Sequence, residues 1–309
     1  MNDSPILVTG GAGFIGSHLC DALLAAGYSV RVVDNLSTGQ RDNLPLDDPR
    51  LQLIEGDVAD AALMRRAVTG CQAVAHLAAV ASVQASVDDP VSTHQSNFIG
   101  TLNLCEAMRE AGVKRVLFAS SAAIYGNNGE GVAVTEDTAK APLTPYAADK
   151  LASEHYLDFY RREHGFTPAI FRFFNIYGPR QDPSSPYSGV ISIFTERALA
   201  GRPITVFGDG EQTRDFFYVA DLVPLLIQGL TGTKVASEAV NVGHSQSVSL
   251  NQLLAAIRQV LGELPEVTYG EARPGDIRHS RADNSLLRQR YQLLPATPLA
   301  EGLARLLGR

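Results

Sequence analysis

Gly10-Gly11-Ala12-Gly13-Phe14-Ile15-Gly16 decides how this chain folds. A short apolar run, Ile6-Leu7-Val8, leads into it, and Leu19, Leu23 and Leu24 follow at helical spacing. The pattern reads as a strand turning sharply into a helix whose first N–H groups face an anion. Glycines 11, 13 and 16 fit G-x-G-x-x-G, and 10, 13 and 16 fit G-x-x-G-x-x-G. A Cβ at Gly10 or Gly13 is expected to hinder the turn or a phosphate's approach, and one at Gly16 to push the helix off the sheet. The next strand, Tyr28 to Val33, ends in Asp34, whose carboxylate suits an adenosine ribose and repels a 2′-phosphate. Together these features predict NAD rather than NADP. The competing reading is an ordinary glycine-rich loop beside a solvated aspartate.

Strand and helix patterns alternate through the first half, which predicts a parallel, doubly wound α/β sheet. Strands are expected at Leu51–Glu55, Ala73–Leu77, Arg115–Ala119 and Thr167–Phe173, and a helix near Ala61–Val68. Asp89-Pro90 reads as an N-cap with proline in the first turn of a long helix reaching about Ala111, and Thr144-Pro145 opens a second one to about His164. Beyond Asn175 the rhythm changes. A loop rich in proline and serine precedes a helix at Val190–Ala200 and a strand at Ile204–Phe207. Helical patterns follow at Asp221–Leu230, Leu250–Leu261 and Pro298–Leu307, with short strands at Ala239–Val242 and Glu266–Tyr269. The expected organisation is a dinucleotide domain over 1–174 and a smaller mixed substrate domain over 175–309, with part of 213–242 returning to the first.

A net charge of −7 argues against broad binding to nucleic acid or anionic membranes, so an anionic substrate needs local arginines. No apolar run reaches membrane-spanning length, and the first strand starts too early for a signal peptide. Cys20, Cys71 and Cys105 lack metal-ligand spacing and read as small buried residues of a reducing cytosol. Histidines 18, 94, 155, 164, 244 and 279 show no mutual spacing that suggests a metal, and His76, at a strand end, is expected to bond backbone. A cytoplasmic protein without a metal centre is the expectation.

Tyr146 and Lys150 lie four residues apart at the start of the second long helix, so both point from one face. An ammonium near a phenol favours the phenolate, making the tyrosine a usable base near neutrality. Ser120-Ser121 ends a preceding strand, and ligands of open α/β sheets bind at the carboxyl ends of strands. Without that context, a surface tyrosine beside a solvated lysine is the default.

Gly10–Gly16, Asp34, Asp57-Val58, His76-Leu77-Ala78-Ala79, Asn97, Ser120-Ser121 through Tyr125-Gly126, Tyr146-x-x-x-Lys150 and Arg172-Phe173-Phe174-Asn175 occur in this order. Gly208-Asp209-Gly210, Arg214-Asp215-Phe216 and Arg273-Pro274-Gly275-Asp276 follow. The set resembles the extended short-chain dehydrogenase/reductases, in particular the UDP-hexose and UDP-N-acetylglucosamine 4-epimerases. More distantly, the chain is similar to small epimerases found with exopolysaccharide gene clusters. The resemblance implies a Rossmann-type fold and NAD contacts from Gly10, Gly13, Phe14, Ile15, Gly16, Asp34, Asn35, Asp57, Val58, Leu77, Ala78, Ala79, Asn97, Tyr146 and Lys150. Asp57 is implied to accept from the adenine amine, with helix capping as the alternative. Tyr146 is implied as the base, Lys150 as its electrostatic partner, and Ser121 as the residue bonding the sugar 4-hydroxyl. Asn175, Val190, Arg214, Arg273 and Asp276 are implied to bind the UDP-sugar, and the two long helices to form a homodimer interface.

Related 4,6-dehydratases carry an acidic pair directly after the active-site hydroxyl residue, and related uronic-acid decarboxylases a glutamate. Here the matching residues are Ala122-Ala123-Ile124, which cannot transfer protons. That leaves 4-epimerisation as the expected reaction, with NAD as a resident, redox-neutral catalyst. Some hexose epimerases carry a lysine where this chain has Ala81, which sets it slightly apart from the UDP-galactose enzymes. Four residues after Asp276, at the position read in the family as a gate beside the sugar's C2 substituent, stands Ser280. A serine leaves room for a 2-acetamido group where a tyrosine ring would not. UDP-N-acetylglucosamine and UDP-N-acetylgalactosamine are the expected pair, with a plain loop role for Ser280 as the alternative.

Overall fold

The computed structural model describes residues 4–128, 131–182, 189–233, 238–272 and 277–309. β1 (Ile6–Thr9) is buried along its whole length, as a central parallel strand covered on both faces must be. It is followed by α1 (Phe14–Ala25), β2 (Val30–Asp34), β3 (Leu51–Glu55), α2 (Ala61–Val68) and β4 (Ala73–His76). Next come α3 (Val83–Asp88), α4 (Pro90–His94), α5 (Gly100–Ala111), β5 (Arg115–Ser121), α6 (Pro145–His164) and β6 (Thr167–Phe173). β1 pairs in parallel with β2 on one side and β4 on the other, with Thr9 opposite Val33 and His76. The chain thus reverses its winding direction between β1 and β4, and the ends of these two strands flank the switch point.

The remaining elements are β7 (Asn175–Tyr177), α7 (Val190–Leu199), β8 (Ile204–Phe207), β9 (Thr213–Arg214), β10 (Phe216–Tyr218), α8 (Val219–Thr231), β11 (Val240–Val242), β12 (Val248–Ser249), α9 (Leu250–Leu261), β13 (Val267–Gly270), α10 (Ser285–Arg290) and α11 (Leu299–Leu306). The main sheet has seven strands in the order β11-β6-β5-β4-β1-β2-β3, and β7–β10, β9–β12 and β8–β13 form separate pairs. It is the doubly wound Rossmann-type sheet that the first half of the sequence predicts.

Two compact units make up the chain. One comprises 1–124, 142–172 and 223–240, and the other 125–141, 173–222 and 241–309. The first has a core in which Met64 and Val68 of α2, Cys105 and Met108 of α5, and Leu157 and Tyr160 of α6 pack against Leu7, Val74 and Phe118 of the sheet. Near the end of α8, Gly229 lies so close to β6 that a Cβ would stand 2.9 Å from the Phe171 ring. The second unit is organised by Asp215, fully buried between β9 and β10. Its Oδ1 accepts from the His244 N–H, and Oδ2 from those of Ser245 and Ala282. Three backbone donors outweigh a lone charge's aversion to the interior only in part, and burial leaves the carboxyl above its ordinary value.

The long helix expected from Pro90 to Ala111 is not uniform. Asp89 caps α4 as predicted, accepting from Ser92 N–H, but Gln95–Ile99 form a π turn before α5. Gly100 follows, where a Cβ would meet Val58 Cγ2 at 2.5 Å, and Thr101 Oγ1 donates back to the Asn97 carbonyl at 2.6 Å. The widened turn frees the Asn97 amide to leave the helix surface. α3 stands in a segment given no helix by periodicity, held by a Ser82 cap. Among the described residues no helix is long and apolar enough to cross a membrane, and no group of three or more His, Cys, Asp and Glu could hold a metal.

Candidate active site

The glycine loop is shaped by backbone contacts that forbid side chains. Gly10 adopts φ +70°, and a Cβ there would lie 2.7 Å from the Ala78 nitrogen. At Gly16 a Cβ would come within 2.1 Å of the Gly10 oxygen, so this glycine serves the fit of α1 onto the loop itself. Gly11 also has no room, because a Cβ would stand 2.7 Å from Val32. Gly13 differs: a Cβ would meet only the Gly10 oxygen, at 3.3 Å. As the N-cap of α1 it offers no capping side chain, and the first turn contains no acidic residue. The first-turn N–H groups are therefore suited to an anionic diphosphate.

Asp34 is buried and holds the loop, accepting from Ala12 N–H at 2.9 Å and from Leu36 N–H at 2.8 Å. A carboxylate has about four acceptor positions, so these two bonds leave capacity for ribose hydroxyls. Asn35 Nδ2 donates to Asp57 Oδ2, and Asp57 Oδ1 accepts from Ala59 N–H. The capping alternative weighed for Asp57 belongs instead to Asp60, which accepts from Ala62 and Leu63 at the start of α2. Val58 is buried beneath Gly100. This chemistry fits NAD: an uncapped helix start for the diphosphate and an unphosphorylated ribose beside Asp34.

Across the switch point, Leu77 N–H donates to the Thr9 carbonyl and Ala78 N–H to Thr9 Oγ1. Ala79 follows on the same loop. Asn97 donates to and accepts from the Val80 backbone, so its amide reaches any bound cofactor through this loop. His76 was expected to bond backbone; it bonds two hydroxyls instead, Thr9 through Nδ1 and Thr101 through Nε2. Burial, with Lys150 nearby, lowers its pKa to about 3.

Tyr146 and Lys150 both lie on the buried face of α6, which Thr144 caps through Ala147 N–H and Pro145 begins. Lys150 Nζ donates to the Ala119 carbonyl at 2.8 Å and lies 4.9 Å from the Phe118 ring centre. Burial pulls its pKa down to about 8 against the pull of Asp149 and Glu154. The expected lowering of the Tyr146 phenol does not follow in this structure. Burial raises it, opposed by a hydrogen bond with Ser121, while the ammonium stays 5.8 Å from the ring centre, turned to Ala119. Ser121 Oγ also accepts from Ala123 N–H. Tyr146, Lys150 and Ser121 are thus brought together in the first unit.

The second unit carries Asn175, Val190, Arg214 and Ser280. Asn175 N–H donates to the Asp215 carbonyl, and Val190 begins α7. Arg214 donates to the Thr213 carbonyl at 2.9 Å and is half-buried. Ser280 N–H donates to the Thr213 carbonyl, so Ser280 is pinned one residue from Arg214. Arg273 and Asp276 lie outside the described residues. Sequence reasoning gave Asp215 no role, although its place between Arg214 and Phe216 was visible. Its partners lie 29 to 67 residues away, beyond the reach of local patterns.

Comparison with known proteins gives a consistent picture. Residues 6–243 match the NAD dependent epimerase/dehydratase family. The chain is 40% identical over 308 residues to the UDP-glucose 4-epimerase of Mycolicibacterium smegmatis, covering 97% of this chain and 96% of that one. It is similar in structure to the UDP-N-acetylglucosamine 4-epimerase from Methanobrevibacter ruminantium solved with UDP-N-acetylmuramic acid. The TM-score is 0.94 at 37% identity, covering 100% of this chain and 98% of that one. The UDP-glucose 4-epimerase of Thermus thermophilus solved with NAD gives a TM-score of 0.88 at 38% identity, with 98% of each chain covered.

Proposed function

Because this chain belongs to the NAD dependent epimerase/dehydratase family, with NAD as cofactor, we propose that it interconverts the 4-epimers of a UDP-sugar, with UDP-N-acetylglucosamine and UDP-N-acetylgalactosamine as the pair. The observation that carries the reaction type is Ala122-Ala123-Ile124, the short helical turn directly after Ser121. Elimination of water or loss of carbon dioxide needs an acid or base at this point, and three aliphatic side chains supply neither. Oxidation at C4 and return of the hydride remain. Similarity to both UDP-glucose and UDP-N-acetylglucosamine 4-epimerases supports the same reaction.

In this reading Tyr146 takes the proton of the sugar 4-hydroxyl and gives it back to the 4-oxygen after the sugar has presented its other face, while Ser121 bonds both the 4-oxygen and the phenol. Lys150, still largely charged at neutral pH, favours the phenolate. NAD, when bound, would supply the hydride acceptor and a positive charge that favours a phenolate. The first unit holds NAD, and the second binds the UDP-sugar through Asn175, Val190, Arg214, Arg273 and Asp276. Ser280 leaves room for the acetamido group. Val83, Val87 and Val91 of α3 and α4 and Tyr156 and Phe159 of α6 are exposed, and they suit the face of a homodimer. Three buried free cysteines suit a cytoplasmic setting.

The test is product analysis with purified protein and no added cofactor, offering UDP-N-acetylglucosamine and UDP-glucose separately. Conversion of the acetamido sugar to its 4-epimer, with little turnover of UDP-glucose, is the expected result. Turnover of UDP-glucose alone would keep the epimerase and remove the Ser280 argument. Turnover of neither, with NAD supplied, would remove both.

A further inference from the structure

α6 turns three polar side chains toward the end of β5, one helical turn apart. Tyr146 bonds Ser121, Lys150 donates to the Ala119 carbonyl, and Glu154 Oε1 accepts from Ser120 Oγ at 2.5 Å. Three consecutive residues of one strand end are therefore tied to three successive turns of one helix. Only the first two ties belong to the chemistry proposed above.

The third tie is anchored from the neighbouring strand. Arg172 of β6 donates Nε to Glu154 Oε1 at 3.0 Å and Nη2 to Oε2 at 2.7 Å. Both side chains are only 8% exposed. Burying such a pair costs several kcal/mol in desolvation, and an apolar pair of similar volume commonly folds as well or better. Stability alone is a weak reason for its presence. Its geometry offers a stronger one, because a bidentate guanidinium fixes the carboxylate plane, and the fixed carboxylate takes the single proton of Ser120.

We propose that Glu154 is a positioning residue for the Tyr146/Lys150 pair: locked by Arg172, it grips Ser120 and holds the end of β5 where Ala119 meets Lys150 and Ser121 meets Tyr146. The inference rests on the catalytic reading of Tyr146, Lys150 and Ser121. Glu154 also acts on Lys150 by charge. The charged and titratable groups that bear on that ammonium are Tyr146, Asp149 and Glu154 from its own helix and His76 from β4.

The test compares Glu154→Gln and Ser120→Ala in the full-length protein. The chain has four lysines, 114, 140, 150 and 234, so ε-13C-lysine labelling resolves Lys150 by NMR without any need for turnover. In Glu154→Gln the Lys150 titration moves below its wild-type midpoint, and in Ser120→Ala the Lys150 line shifts position with little change in midpoint. Each variant loses about tenfold in kcat with KM within about twofold, the pattern of misplaced groups rather than lost binding. A folded variant of either kind with wild-type kcat would overturn the proposal. If the wild-type protein epimerises no UDP-sugar, the proposed function falls, and the NMR result decides the positioning role alone: unmoved Lys150 signals in both variants would refute it. If Glu154→Gln does not fold, Ser120→Ala leaves the ion pair intact and decides by the same two readouts.

Discussion

Thr9 Oγ1 lies 2.7 Å from Nδ1 of His76, across the seam of β1 and β4 where the sheet reverses direction. The proton directions follow from the neighbours. Thr101 gives its proton to the Asn97 carbonyl, so its oxygen accepts from His76 Nε2–H. Nδ1 is then bare and accepts from Thr9, whose oxygen in turn accepts from Ala78 N–H. A neutral imidazole thereby links two strands, the π turn and the loop after β4.

His76 therefore makes stability depend on pH in a definite direction. Its folded pKa of about 3 lies below the ordinary 6.5, so the unfolded chain binds the extra proton first. Stability from this group is complete above pH 6.5 and falls at about 1 kcal/mol per pH unit as pH drops toward 3. Denaturant titrations between pH 4 and 7 are expected to show a shallower slope for His76→Gln than for the wild type. Equal slopes would contradict the assigned burial.

The glycines of the loop are expected to separate stability from binding. Gly16→Ala places a methyl against the Gly10 oxygen and should destabilise by more than about 4 kcal/mol, yielding little soluble protein. Gly13 sits at φ −78°, which alanine adopts freely. Gly13→Ala should keep its melting temperature within a few degrees while NAD affinity, measured by calorimetry, falls by about tenfold or more. Unchanged NAD affinity would place the diphosphate elsewhere.

Tyr146→Phe removes the phenol and leaves the ring in its buried place. Turnover is expected to fall by about 10²- to 10⁴-fold, with NAD still bound after purification. Retained full activity would refute the assigned base.

Ser280→Tyr tests the sugar gate. A ring at this half-buried position should depress kcat/KM for the acetamido sugar by about tenfold or more while sparing UDP-glucose. Parallel loss on both sugars would mean that Ser280 does not face C2.

Much of this was legible in the chain. The glycine loop, Asp34 and the Tyr146/Lys150 helix announce themselves through local spacing, because a tight turn and one helix face are local requirements. β5 and α6 were expected almost at their observed bounds. What stayed hidden depends on residues far apart. His76 meets threonines 67 and 25 residues away, and Asp215 gathers N–H groups from two distant loops. Burial also reversed one electrostatic expectation. Spacing places an ammonium near a phenol, but only the fold reveals that Ala119 takes its hydrogen bond and that desolvation governs Tyr146.

The π turn at Gln95–Ile99 bears on how this chain tolerates changes in length. A π turn holds one residue more than the α-helix it interrupts. Deleting one residue there would restore regular α winding with the flanking turns still in phase, because the wide turn is what absorbs the additional residue. His94 would keep Asp149, whose Oδ1 it meets at 2.7 Å, while the Asn97 amide would be drawn back with the closing turn and lose Val80. Exposed surface loops can in general gain or lose residues cheaply. Between Pro90 and Ala111 the additional residue of the wide turn is itself part of the machinery, and homologues with a shortened segment there would need a different way to hold the loop after β4.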